Sequence, residues 1–149
     1  MLRYIALLFL ILHTALTGSV ATRASETSIV GRWTTHKGGE IEIAPCGNKI
    51  CGTIVKLARN DHLTPPTDKK NPDPALRDRA LLGLTLFSNF SYEGDDSWEN
   101  GRIYNVNNGK TYKSKLHLHS KNQLKLSGCV FIFCRSYTWS RALQHEDQP

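Results

Sequence analysis

Four cysteines are the first residues of this chain that could do chemistry. Cys46 and Cys51 bracket CGNKIC, and the same spacing returns in CVFIFC as Cys129 and Cys134. Thiols so arranged could hold a metal, cycle as a redox pair or close as disulfides. Zinc sites usually space their cysteines more tightly, and thioredoxin-like pairs are separated by two residues. Neither pattern fits, so no metal is expected. An even count in an exported chain reads instead as two disulfides. Three pairings exist. If GNKI and VFIF are hairpin loops, each cysteine faces its near neighbour across two strands, which favours 46–51 and 129–134. A cross-pair such as 46–129 requires both loops at one end of the fold.

The remaining polar candidates divide into sharp and plain readings. Arg77, Asp78 and Arg79 in NPDPALRDRALLG could offer two forked cations to a carboxylate or phosphate. The plain reading is that Asp73, Asp78 and the arginines pair among themselves and pin a loop, and the balance of acids and bases there favours it. His117 and His119 stand two apart, as metal ligands could, but share their face with Lys113 and Lys115. That is a solvated face. Asp95 and Asp96 in EGDDSWENG read as turn acids. No Gly-x-Ser-x-Gly elbow, His-Glu-x-x-His pair or phosphate loop is found, so the sequence gives no positive case for an enzyme and no cofactor is expected. Phe131 and Phe133 in VFIF are apolar where a hairpin tip is usually polar. They form either a greasy lip for a ligand, membrane or partner, or a lid folded over the core.

The compartment follows from MLRYIALLFLILHTALTGSVATRASE. Arg3 supplies the positive start, Ile5 to Leu16 an apolar stretch, and Ala21 or Ala24 a small-residue cleavage site. This is the layout of a secretory signal peptide, residues 1–24. The apolar stretch is too short to span a bilayer, which takes about 20 residues. No later run could span either. The mature domain, 25–149, is expected to be periplasmic or secreted. The formal charge of +6 includes Arg3 and Arg23, so the mature domain carries about +4. No basic block with interleaved aromatics suggests a nucleic acid partner.

The elements that must position these residues alternate in twos. GEIEIA sets Ile41 and Ile43 against Glu40 and Glu42; TYKSKLHLH sets Tyr112, Ser114, Leu116 and Leu118 against lysines and histidines. One wet face and period two mean antiparallel strands. Strands are expected near 30–35, 39–45, 50–57, 84–92, 100–105, 110–119, 122–128 and 134–141. One long connection interrupts them, carrying four of the six prolines. Asp73 could cap a short helix through PALRDR, with Pro74 at its first position. A connection of that length is usually functional, here a gate. The fold expected is all-β: a single antiparallel up-and-down barrel of about eight strands with one long loop carrying a short helix.

GRWTT, CGNKICGTIV, NPDPALRDRALLGL, GRIYNVNNGKTYKSKL and CRSYTWSR together resemble the motifs of domain of unknown function family 2147, small exported bacterial proteins, from Gly31 to Arg141. The resemblance implies a lipocalin-like barrel. Gly31-x-Trp33 is similar to the lipocalin Gly-x-Trp signature, and the basic residue that covers such a tryptophan from the last strand would be Arg141, two after Trp139. These three are expected to be structural. The function expected is the binding of a small amphipathic or apolar ligand in a barrel pocket, with Arg77, Arg79, Tyr112, Phe131, Phe133 and Tyr137 as contacts. Gly52, Ser114 and Gly128 are the small inward residues that would leave it room. The competing reading is a filled barrel acting in the envelope through its loops.

Overall fold

The computed structural model describes residues 28–58 and 66–143. The expected signal peptide and its cleavage site lie outside the described residues. Eight strands run in sequence order, each antiparallel to the next: β1 (Gly31–Thr34), β2 (Glu40–Cys46), β3 (Lys49–Lys56), β4 (Thr85–Gly94), β5 (Ser97–Asn105), β6 (Lys110–Ser120), β7 (Gln123–Val130) and β8 (Phe133–Arg141). β8 returns to β1 through Trp33↔Arg141 and Thr34↔Ser140, closing an up-and-down barrel without free edges. The alternation resolves as its period demands. Ile41, Ile43, Leu116, Leu118, Leu124 and Leu126 are buried, while Lys113, Lys115, His117 and His119 are exposed.

Up-and-down order fixes which turns share an end. Those after β1, β3, β5 and β7 lie at one end, and those after β2, β4 and β6 at the other. The latter end is solid. Trp33, Ile43, Phe87, Phe90, Trp98, Leu116 and Leu124 are almost entirely buried there. Two bulges make this packing feasible. Asn89 (φ 67) and Asn100 (φ 61) adopt left-handed backbone, beside register shifts between β3 and β4 and between β5 and β6. Each adds a residue on the bulged strand, so that Phe87 and Phe90, three apart, both point inward. Their rings meet edge to face, 5.2 Å between centroids. They occupy the spaces above Gly52 and Gly101, where a β-carbon would collide with the phenyls. Gly52 therefore makes room for Phe87, not for a ligand, correcting the expectation that it helps open a pocket. EGDDSWENG is likewise only half a turn. β5 begins at Ser97, and Trp98 is a core residue.

The plug where β8 meets β1 is the expected pair. The Arg141 guanidinium lies 4.1 Å from the centre of the Trp33 ring system. Its Nη1 donates to the Val30 carbonyl at 2.8 Å, Nη2 to Ser28 at 2.9 Å and Nε to Lys121 at 3.2 Å. Trp33 Nε1 donates to the Ile29 carbonyl at 2.8 Å. Burial lowers the Arg141 pKa from its ordinary value. Gly31 completes the motif. Its φ of 115 and the approach of Arg141 Nη1, 3.3 Å from where a β-carbon would stand, leave no place for a side chain.

Both disulfides form, Cys46–Cys51 and Cys129–Cys134. They sit at opposite barrel ends, because one turn follows β2 and the other β7. Each loop is a two-residue turn rather than the expected four. Cys129 and Cys134 are directly opposite, whereas Cys46 opposes Lys49 and Cys51 opposes Ala44. The first bridge is therefore diagonal, correcting the facing geometry expected for it. The helix expected through PALRDR contracts to one 3-10 turn, Pro74–Leu76, with Asp73 accepting from the Ala75 amide. The chain there turns away because the next residues are tied elsewhere, as described below.

Candidate functional site

The other end of the barrel is open. A cavity of about 890 Å³ enters it, within the range of pockets that hold small molecules. Ile41, Ile54, Leu86, Ile103, Leu126 and Trp139 form its apolar wall, and Tyr104, Tyr112, Phe133 and Tyr137 line it towards the mouth. Its lower limit is Trp139, whose ring lies 6.2 Å from Phe87 of the solid half. The rim comes from the turns after the odd strands: His36 and Lys37, Pro66 and Leu81, Val106 to Asn108, and Val130.

The hairpin of β7 and β8 sets the polarity of this space. Gly128 opposes Arg135, Leu126 opposes Tyr137 and Leu124 opposes Trp139. Opposed residues share a face, and Leu124, Leu126 and Trp139 are buried in the interior, so Gly128 and Arg135 also face inward. A β-carbon on Gly128 would meet Ile103, Ser114 and Tyr112 at ordinary contact distances of 3.7 to 4.0 Å. A side chain would therefore fit at Gly128 without a clash, and Arg135, its cross-strand partner, lines the cavity and has no ion-pair partner among the described residues. Trp139 Nε1 is buried without a hydrogen-bond partner. His36 stacks on Tyr137 with centroids 4.2 Å apart and planes within 8°.

Of the sequence-nominated contacts, Tyr112, Phe133 and Tyr137 line the cavity, whereas Phe131, Arg77 and Arg79 do not. Phe131 projects into solvent. The arginines are occupied. Arg79 donates from Nε and Nη2 to Asp68 Oδ2 at 3.0 and 2.8 Å, and Arg77 donates from Nε to the Asn71 carbonyl at 2.9 Å. Asp68 is completely buried and also accepts from Asn71 Nδ2 at 2.8 Å and from the Tyr104 hydroxyl at 2.6 Å. Burial alone would raise the Asp68 pKa. The bonds from Tyr104, Asn71 and Arg79, with the Arg79 charge, outweigh it and hold the carboxyl below its ordinary value. Burial, then the bond to Asp68 and its charge, pushes Tyr104 up.

This latch fixes the long connection to the wall of the cavity. Thr67 bridges Ala80, and Lys70 passes so close to Gly109 in the β5–β6 turn that a β-carbon there would strike its carbonyl. The described part of the connection is therefore anchored, in contrast to the swinging gate expected; residues 59–65 lie outside the described residues. Sequence reasoning missed Arg135, Asp68 and Tyr104. Among the described residues no group of three or more histidines, cysteines or acids could hold a metal ion, and no helix is long and apolar enough to cross a membrane.

A closed eight-stranded barrel, plugged by an arginine over a Gly-x-Trp tryptophan and hollow at the other end, defines a lipocalin-like protein. A similar solved structure is described as "Protein HP1028 from the human pathogen Helicobacter pylori belongs to the lipocalin family"; the two share 25% identity with a TM-score of 0.71, over 79% of this chain and 85% of that one. The chain belongs to DUF2147, the family described as an uncharacterized protein conserved in bacteria, whose model matches residues 31–141. No curated protein matches the sequence.

Proposed function

We propose that this is an exported binding protein that holds a small amphipathic ligand in its barrel, the apolar part against Ile41, Ile54, Leu126 and Trp139 and an anionic head at Arg135. The observation that carries the reading is the half-filled barrel: solid below Trp139, hollow above it, with one unpaired inward cation beside Gly128. Export is supported by the leader pattern and by two disulfides, which persist in oxidising compartments.

The test is displacement of a fluorescent amphiphile by a fatty acid and by its neutral alcohol. Wild-type protein should bind the acid at micromolar levels or tighter, about −8 kcal/mol. Gly128→Leu should weaken acid and alcohol alike, because leucine fits without backbone strain and takes up cavity. Arg135→Gln should weaken the acid more. Wild-type protein that takes up neither compound, or a Gly128→Leu protein that binds like wild type, refutes the reading.

A further inference from the structure

The tip of the β7–β8 hairpin is built against the usual preferences. Val130, Phe131, Ile132 and Phe133 are 49, 97, 86 and 77% exposed. Two-residue hairpin turns favour asparagine, aspartate or glycine, which tolerate left-handed backbone. Here a phenylalanine takes that conformation, Phe131 at φ 52, with a second large apolar residue after it. The Cys129–Cys134 bridge closes the ladder one pair below Val130 and Phe133, so the tip is held out as a rigid wedge. It stands at the cavity mouth, which Val130 and Phe133 help to line.

The surroundings indicate what the wedge meets. Lys37, Lys69, Lys70, Arg77, Lys110 and Arg135 belong to the turns and strand ends of this end of the barrel, and none is in an ion pair with a described residue. Among the described residues the acids there without an ion pair are Asp73 and Asp78. The opposite end carries Glu93, Asp95 and Asp96 about its β4–β5 turn. The open end is therefore cationic around an apolar point. Four side chains offer a few hundred Å², well short of the roughly 1,200–2,000 Å² of a stable protein interface. A bilayer needs no matching surface: apolar side chains enter the acyl boundary while cations meet anionic headgroups.

We infer that the Phe131–Ile132 tip inserts into an anionic lipid surface and sets the cavity mouth against it. The inference does not depend on which ligand the cavity takes, and its assay reads the tip alone. The full protein is co-sedimented with vesicles of equal parts phosphatidylethanolamine and phosphatidylglycerol, and with phosphatidylcholine vesicles. Wild-type protein should bind the first, about tenfold less well the second, and less as salt rises. Phe131→Ser with Ile132→Ser should reduce partitioning roughly 100-fold with an unchanged thermal midpoint. Phe131→Trp should emit further to the blue on vesicles and be quenched by brominated acyl chains. Equal partitioning of the double-serine protein, or unquenched Trp emission, overturns the inference. So does a wild-type dimer that the serines make monomeric while neither form binds vesicles, because the tip would then be an interface between copies of this chain.

Discussion

Replacing Asp68 by asparagine should unlatch the long connection while leaving the barrel folded. Asp68 gathers donors from Tyr104, Asn71 and two Arg79 nitrogens. Asparagine keeps the shape but loses the charge, and it turns an amide nitrogen towards groups that donate. A hydrogen bond to a charged group is worth about 1.5–3 kcal/mol. The Tyr104 bond and the two Arg79 bonds lose their charged acceptor, but the Arg79 side chain is 37% exposed and water recovers part of its share. The net loss should be about 2–4 kcal/mol, or roughly 30- to 700-fold in the closing equilibrium. Because the latch joins one connection to the wall, the loss should be local. Hydrogen exchange at the Leu81 amide, which donates to the Pro66 carbonyl, should accelerate by about that factor while barrel amides change little. The pH dependence follows from the lowered Asp68 pKa. Its contribution is fully present above the unfolded value of about 4 and is lost as pH falls through the folded value. Wild-type protein should therefore open in acid, and the variant should lack that step. Unchanged exchange at Leu81, or an equal acceleration throughout the barrel, would refute the latch.

Three further predictions concern the solid half and the bridges. Trp33→Ala should cost about 3–5 kcal/mol in denaturant unfolding, and a double-mutant cycle with Arg141→Ala should show about 1–2 kcal/mol of coupling, as for a desolvated cation on an indole; additive losses would deny the contact. Gly101→Ala should destabilise by about 1–3 kcal/mol or more, since its β-carbon meets the Phe90 ring; an unchanged thermal midpoint would mean that the phenyl does not fill that space. Thiol counting on unreduced, unfolded protein should find none among Cys46, Cys51, Cys129 and Cys134, and peptide mapping should link neighbours; a linked 46–129 peptide would contradict the placement of the two turns at opposite ends.

The barrel was legible because its pattern is local. Ile41 and Ile43, or Leu116 and Leu118, declare their face by period two, and the count of eight strands then assigns every turn to an end. That count already separates CGNKIC, after the second strand, from CVFIFC, after the seventh. Trp98 escaped because the bulge at Asn100 breaks the alternation between it and Gly101, so period two fails where the core is densest. The short helix was overread because Asp73 and Pro74 are good starting signals, but Arg77 and Arg79 immediately bond to Asn71 and Asp68. Those are tertiary commitments that end the turn.

The site was legible only in part, and the reason lies in register. Arg77 and Arg79 attracted attention as adjacent forks, but the partner that occupies Arg79 is Asp68, eleven residues upstream, beyond any local pattern. Arg135 was passed over although period two from Trp139 puts it inward with Tyr137 and Phe133. What makes it a cavity residue is the empty position opposite, Gly128, and that depends on how the hairpin is aligned. Equal cysteine spacing does not settle the alignment, since the two bridges take different registers. The turn residues do. In CGNKIC the turn formers Gly47 and Asn48 draw the turn next to Cys46, with Gly47 at φ 69, and leave Cys51 two residues past Lys49, which faces Cys46. In CVFIFC no residue is a turn former, the turn stays central, and Cys129 faces Cys134. The same apolar tetrad that leaves the tip exposed therefore also places Arg135 across from Gly128, so substitutions that moved the two-residue turn off centre by one position would set Arg135 against the side chain of Leu126 or Val130 instead.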